Sequence, residues 1–301
     1  MKNSILKGSL LVALGASSYG MLTTFVKMAY AENFTSYEIT FSQMLLGLIG
    51  LIIINLLFVK GKKTEHIEPK SKSILKLMLA GTSLGLTSTF YYLAVRYIPV
   101  SIGIVLLMQS VWMGVFLESI IAKKKPSAQK IVAVLVILTG TVLATNMLMS
   151  DIELDWRGIG WGLLAAISYT VTIYTSNTVA IQLHSLRRSL WMMVGGTIVV
   201  SIICAPYLIE QFNFEIFKLW GPLLAVFGTI LPPILFTAGM PKINVGLGAI
   251  ISSIELPVAV LMAYVLLNEV VNVYQWIGII IILLSVVVMN LPKKSKKDKK
   301  G

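Results

Sequence analysis

Ten apolar runs take up most of this chain, at about 8–30, 40–59, 74–95, 100–121, 131–149, 158–178, 190–209, 219–237, 244–267 and 274–291. At 1.5 Å per residue, about twenty residues in a helix cross a hydrocarbon layer ~30 Å thick. Inside that layer a backbone must satisfy its own polar groups, so runs of this length are expected to be helices. The longest polar connection, 60–72, is too short to fold by itself, which leaves no room for a soluble domain. Composition agrees: 56% of residues are hydrophobic, 13% are charged, and mean hydropathy is +0.85. The expected class is an all-α integral membrane protein of ten transmembrane helices. Lys2 and Lys7 precede the first run, but that run is too long for a signal h-region and reads as a retained first helix.

Basic residues orient the spans, because Lys and Arg near span ends stay on the cytoplasmic side. With the amino terminus inside, 21 of the 25 Lys and Arg fall inside and four (Lys27, Arg96, Arg157 and Lys218) outside. Both termini are therefore expected in the cytoplasm and the Asp151, Glu153, Asp155 cluster outside, in a plasma membrane protein. The net charge of +12 and the basic tail at 292–301 follow from this topology and from contact with anionic membrane lipids, with no nucleic acid as partner. One cysteine, Cys204, excludes an intramolecular disulfide, and two separated histidines, His66 and His184, make no metal site. No cofactor is expected. Trp156, Trp161, Trp191, Trp220 and Trp276 lie near span ends and read as interface anchors; Trp112 does not.

The ninth run places Glu255 near its middle and Pro257 two residues on. An uncompensated carboxylate at that depth costs roughly 3 kcal/mol on insertion scales. It requires a water-filled cavity, a partner or the neutral form, which a purely structural span does not. Placing Gln109 against Glu255 aligns the fourth and fifth runs with the ninth and tenth, so that Gln129 meets Gln275. Ser18 and Tyr19 likewise match Ser168 and Tyr169. The chain thus divides into five-helix units at 1–150 and 151–291, and an odd number of spans inverts the second unit relative to the first, as in many secondary transporters.

The segment LLNEVVNVYQWIGIIIILLSVVV, residues 266–288, with the Ser18 to Gly20 turn leading to Lys27, resembles the drug/metabolite transporter superfamily, in its ten-helix branch of two EamA-type units. Asn268 stands at the usual Gly, and Lys123 stands where the first unit would carry the family glutamate, so the two copies differ there. The resemblance implies secondary transport of a small metabolite, frequently export of an amino acid or related compound. It also implies a central cavity between the first, third, fourth, sixth, eighth and ninth helices.

Candidate lining residues follow from helical spacing. Ser17, Thr24 and Lys27 recur along the first helix, and Tyr169, Thr172 and Ser176 along the sixth. Gln109 and Trp112 share a face of the fourth and are expected in the pocket. Lys27 is expected either to snorkel or to face a substrate carboxylate. Glu269 is a capping, gating or structural partner at the outer end, and Glu118 is expected to pair with Lys123 and Lys124. Pro232 and Pro233 should break or kink the eighth span, and Pro257 should leave a carbonyl free near Ser253. Glu255 is the candidate for proton coupling or for reading substrate charge. No catalytic constellation or phosphate loop points to an enzyme or an ATP-driven pump. The rival function is a lipid scramblase or a non-transporting membrane scaffold.

Overall fold

The computed structural model describes residues 2–59, 70–146, 155–210 and 212–290. The lysines from Lys60 to Lys63, the acidic residues Asp151 and Glu153, and the basic tail lie outside these. Among the described residues all regular structure is helical. The first three spans are α1 (Lys2–Ala31), α2 (Ser36–Phe58) and α3 (Lys70–Ala94). The fourth is broken into α4 (Val100–Leu107) and α5 (Ser110–Ala122), and the fifth is α6 (Ala128–Ala144). In the second unit, α7 (Trp156–Thr178) and α8 (Ser185–Glu210) precede an eighth span built from α9 (Trp220–Leu224), a π-helical turn (Ala225–Ile230) and α10 (Leu231–Gly239). The ninth is broken into α11 (Val245–Ser252) and α12 (Glu255–Leu266), and α13 (Val273–Asn290) is the tenth. Ten spans put the two chain ends on the same side, and five per unit invert one unit relative to the other. Seven spans are long and apolar enough to cross a membrane by composition alone, and α6 is shorter. The long helices α3 and α7 are more polar because they carry hydroxyl-rich faces turned inward.

Local sequence sets the helix ends. Thr35 and Glu38 form a reciprocal capping box at the start of α2. Glu38 is itself buried, and its second oxygen accepts from the Asn213 amide at 2.7 Å. Asn244 caps α11 through the Leu247 amide at 2.9 Å, and Asp155 caps α7 through the Arg157 amide at 2.8 Å. Hydrogen bonds from Arg157 hold the Asp155 carboxyl below the usual carboxylate range. Asn268, at the position where the resemblance has Gly, adopts φ 52°, a left-handed conformation that Asn tolerates better than most side chains.

Gln109 and Glu255 mark equivalent breaks in the two units. The fourth span is interrupted between Leu107 and Ser110 and the ninth between Ser252 and Glu255, with i→i−3 backbone bonds bridging each. The devices differ. In the first unit the Gln109 amide donates to the Val105 carbonyl of its own helix at 3.0 Å. In the second unit Pro257 falls in the first turn of α12, where its missing N–H is least costly. The Ser253 carbonyl expected to be free accepts from the Leu256 amide at 3.3 Å, so the tightened turn satisfies it.

The eighth span shows how the double proline is accommodated. Pro232 and Pro233 occupy the first turn of α10, directly after the π-helical turn, and both are buried. The Phe227 carbonyl, five residues before Pro232 and thus deprived of its π-type donor, accepts from the Ser18 hydroxyl of α1 at 2.8 Å. The π-helical turn is therefore tied to α1, and neither proline is in the lining of the two cavities described below.

The tightest crossing is that of α3 with α8. A Cβ on Gly81 would run into the Met192 carbonyl, and one on Gly195 into the Met78 carbonyl. Such backbone contact requires small residues on both helices. Gly81→Val is expected to cost about 3 kcal/mol or to prevent folding, because the obstruction is backbone that cannot rotate away. Unfolding in mixed micelles measures this, and wild-type stability would contradict the close crossing.

Candidate functional site

A cavity of about 80 Å³ lies between α1, α3, α4, α7 and α12. That is room for several waters, at roughly 10–15 Å³ each by the same kind of measure. Glu255 and Tyr169 lie at its deep end, 7% and 3% exposed. Lys27 lies at its open end, with its side chain 40% exposed. Tyr30, Tyr91 and Tyr92 supply much of the wall, with Thr87, Ser88 and Thr172. Tyr19 also lines the cavity, and its ring stands edge-on to Tyr169, centroids 6.1 Å apart, and to Phe236 of α10 at 5.8 Å. The eighth span touches this lining through the Phe236–Tyr19 contact and is not among its lining elements, whereas the first, third, fourth, sixth and ninth are.

Glu255 and Lys27 are the charged side chains of this lining. The Tyr169 hydroxyl donates to Glu255 Oε2 at 3.2 Å, and no ion pair among the described residues includes Glu255. Its break in the helix brings it here: the carboxylate begins α12, and α1 packs so closely beside it that a Cβ on Gly20 would strike the Glu255 carbonyl. Lys27 Nζ donates to Glu269 Oε1 at 2.6 Å, an exposed pair joining the two units across the open end. Hydrogen bonds also tie helix ends together on the opposite side of the bundle. Asn177 donates to the Met240 and Ile243 carbonyls at 2.5 and 2.8 Å. Lys130 of α6 bridges both oxygens of Glu118 at 2.7 and 2.6 Å, and Glu118 also accepts from the Gly246 amide at the start of α11.

The expected residues divide into those the tertiary structure gathers and those it does not. Lys27, Tyr169, Thr172 and Glu255 line the cavity, while Thr24 and Glu269 line a second one beside it. Ser17 and Ser176 line neither; the Ser176 carbonyl instead accepts from Arg188 at 2.7 Å. Gln109 and Trp112 do share a face, but it is turned away from both cavities. The indole N–H donates to the Gln109 carbonyl oxygen at 3.0 Å, and Trp112, 40% exposed, packs beside the exposed Phe116 on the outer surface of the bundle. The expectation for Trp220 also reverses. It is buried and donates to Glu32 at 2.7 Å, so it is no surface anchor. Glu118 pairs with Lys130 in place of Lys123 and Lys124, since Lys123 turns into a left-handed conformation at the end of α5. Arg188, one of the 21 basic residues assigned to the inside, is 1% exposed within the protein.

Among the residues not anticipated are the third-helix tyrosines and Tyr19. A signal for each was present. The run STFYY at 88–92 is polar and aromatic within an otherwise apolar span, and Tyr19 is the repeat partner of Tyr169. The structure brings that pair together around Glu255.

The sequence profile of the EamA-like transporter family matches residues 6–146 and again 156–291. A solved crystal structure, titled only as that of a protein, superposes with a TM-score of 0.75 over 96% of this chain and 98% of its own. Sequence identity with it is 14%, so this likeness concerns the fold alone. No curated protein matches the chain.

Proposed function

The chain belongs to the EamA-like transporter family, and from that premise we propose that it is a secondary transporter that exports an amino acid or a related small metabolite by alternating access. The observation that carries this reading is a buried carboxyl without a cationic partner among the described residues, placed at the deep end of a tyrosine-lined cavity whose open end bears Lys27. The buried carboxylate complements a substrate ammonium at the deep end, and Lys27 at the open end attracts a substrate carboxylate on its way in. The tyrosine walls supply apolar surface for the substrate body and a π face for its cation.

Alternating access needs one end shut while the other is open, and the network from Glu118 to Gly246, with Asn177 beside it, is the shut end in this state. Glu255 serves as the coupling residue: a proton or a substrate ammonium neutralises the same carboxylate, so one displaces the other. The 21 basic residues assigned to the terminus side support a cytoplasmic location for both ends in the plasma membrane. The open end in this state then faces outward.

Proteoliposomes test the reading. Flux of a labelled amino-acid panel is compared with that of a nucleoside panel and of organic cations, with and without an imposed pH difference. The expected result is amino-acid accumulation that needs the protein and the pH difference. Amino-acid flux no greater than in protein-free vesicles, with protein-dependent flip of a labelled lipid, would assign the chain to lipid scrambling.

A further inference from the structure

Two equivalent turns lie at opposite ends of the bundle. Residues 95–99 lead from α3 to α4, and residues 240–244 lead from α10 to α11. Each turn packs against the start of the other unit's first helix. A Cβ on Gly8 of α1 would come within 2.7 Å of Lys242 and 3.1 Å of Ile243, and one on Gly158 of α7 within 2.7 Å of Ile98 and 3.1 Å of Tyr97. The alignment that pairs Ser18 with Ser168 also pairs Gly8 with Gly158, so these contacts are repeat counterparts. It further pairs Lys27 with Asn177, near the ends of the same two helices.

At these helix ends the symmetry fails. Asn177 donates to the Met240 and Ile243 carbonyls of the second turn at 2.5 and 2.8 Å. The counterpart carbonyls of the first turn are those of Val95 and Ile98, and among the described residues neither accepts a backbone hydrogen bond. Pro99 has no N–H to offer the Val95 carbonyl four residues before it. Lys27, the counterpart of Asn177, is turned to Glu269 instead, and it lines the central cavity together with Val95. Its pair with Glu269 is exposed and belongs to the weak class that a rival acceptor can displace. The carbonyl end of α3, where Val95 lies, favours a cation.

When a transporter of inverted units changes its open side, each unit takes up the arrangement the other had, so a contact made at one end only should reform at the other. Resting on the alternating-access reading above, we infer that Lys27 is a gate residue with two positions. In the present state Glu269 holds it and the outer end is open. In the opposite state Lys27 leaves Glu269 and donates to the Val95 and Ile98 carbonyls, drawing the end of α1 onto the first turn. Asn177 at the same time releases the second turn and the inner end opens.

Thiol labelling in inside-out membrane vesicles tests this. Cys204→Ala removes the chain's one cysteine, and Ser88→Cys places a thiol in the central cavity. An impermeant maleimide added at the cytoplasmic face reaches that thiol only when the inner end opens. Glu269→Gln should raise the labelling rate about threefold, the weight of one exposed pair, because Lys27 is no longer held in its open-state position. Adding Lys27→Met should remove the rise, since Met cannot donate. Adding Lys27→Gln, of the same length as Met and with an amide like that of Asn177, should keep it. Lys27 and Glu269 are exposed, so these variants are expected to fold. No rise in Glu269→Gln, a rise that survives Lys27→Met, or one lost equally with Lys27→Gln would overturn the two-position gate and leave alternating access standing. Labelling of every form from the outer face and of none from the cytoplasmic face would overturn alternating access and the gate with it.

Discussion

Replacing Glu255 by Gln is expected to abolish accumulation driven by a pH difference while leaving exchange of labelled for unlabelled substrate across the membrane. Gln keeps the volume and a carbonyl oxygen to accept from the Tyr169 hydroxyl, so the deep end of the cavity retains its shape. What it loses is the ability to gain and release a proton. For an exporter exchanging one proton per substrate, protons flow toward the alkaline compartment and substrate flows the other way, into the acidic one. One pH unit then supports about tenfold accumulation there, since a unit is worth ~1.4 kcal/mol and that energy is a factor of ten in concentration ratio. The variant should show a ratio of one at every imposed difference. Wild-type accumulation by correctly inserted Glu255→Gln would exclude the carboxyl as the coupling group. Loss of exchange as well as accumulation would place it in substrate binding rather than in coupling.

The second large effect lies outside the cavity lining. Arg188→Ala should destabilise the protein by about 3 kcal/mol or more. The guanidinium donates to the Val179 carbonyl at 3.0 Å, to Ser176 at 2.7 Å and to Thr237 at 2.7 Å. Ser176 and Val179 belong to the last turn of α7 and its cap, and Thr237 to the last turn of α10, so one cation satisfies carbonyls that helix ends leave without donors. Truncation would strand three acceptors in a dry interior, each costing of order 1–3 kcal/mol. Arg188→Lys should recover only part of the loss, because a point ammonium cannot match a planar fork aimed at three separate carbonyls. Unfolding in mixed micelles reads both variants, and a loss below roughly 1 kcal/mol for Arg188→Ala would show that water or a rearranged turn replaces the guanidinium.

Sequence by itself determined what depends on local chemistry. Span length and apolarity mark out the ten helices, because a bilayer core imposes one thickness on every crossing. The Gln109 and Glu255 alignment locates the equivalent broken helices, and Glu255 itself is legible because a carboxyl among apolar residues at that depth demands an explanation. Tertiary structure alone decided where each polar face points. Helical spacing puts Gln109 and Trp112 on one face, but spacing is unchanged by rotating the helix about its axis, and packing of α5 turned that face outward. The same freedom separates Thr172, in the cavity, from Ser176 one turn on, whose carbonyl serves Arg188. Charges are harder still. Lys27 and Glu269 are 242 residues apart, and Arg188 lies beside Arg187 in what reads as a loop. A long charged side chain takes whichever partner the fold brings within its reach, and that choice has no local signature. Helix length and depth are one-dimensional properties that a chain carries in its composition, whereas facing and pairing are settled only when all ten helices compete for the same buried volume.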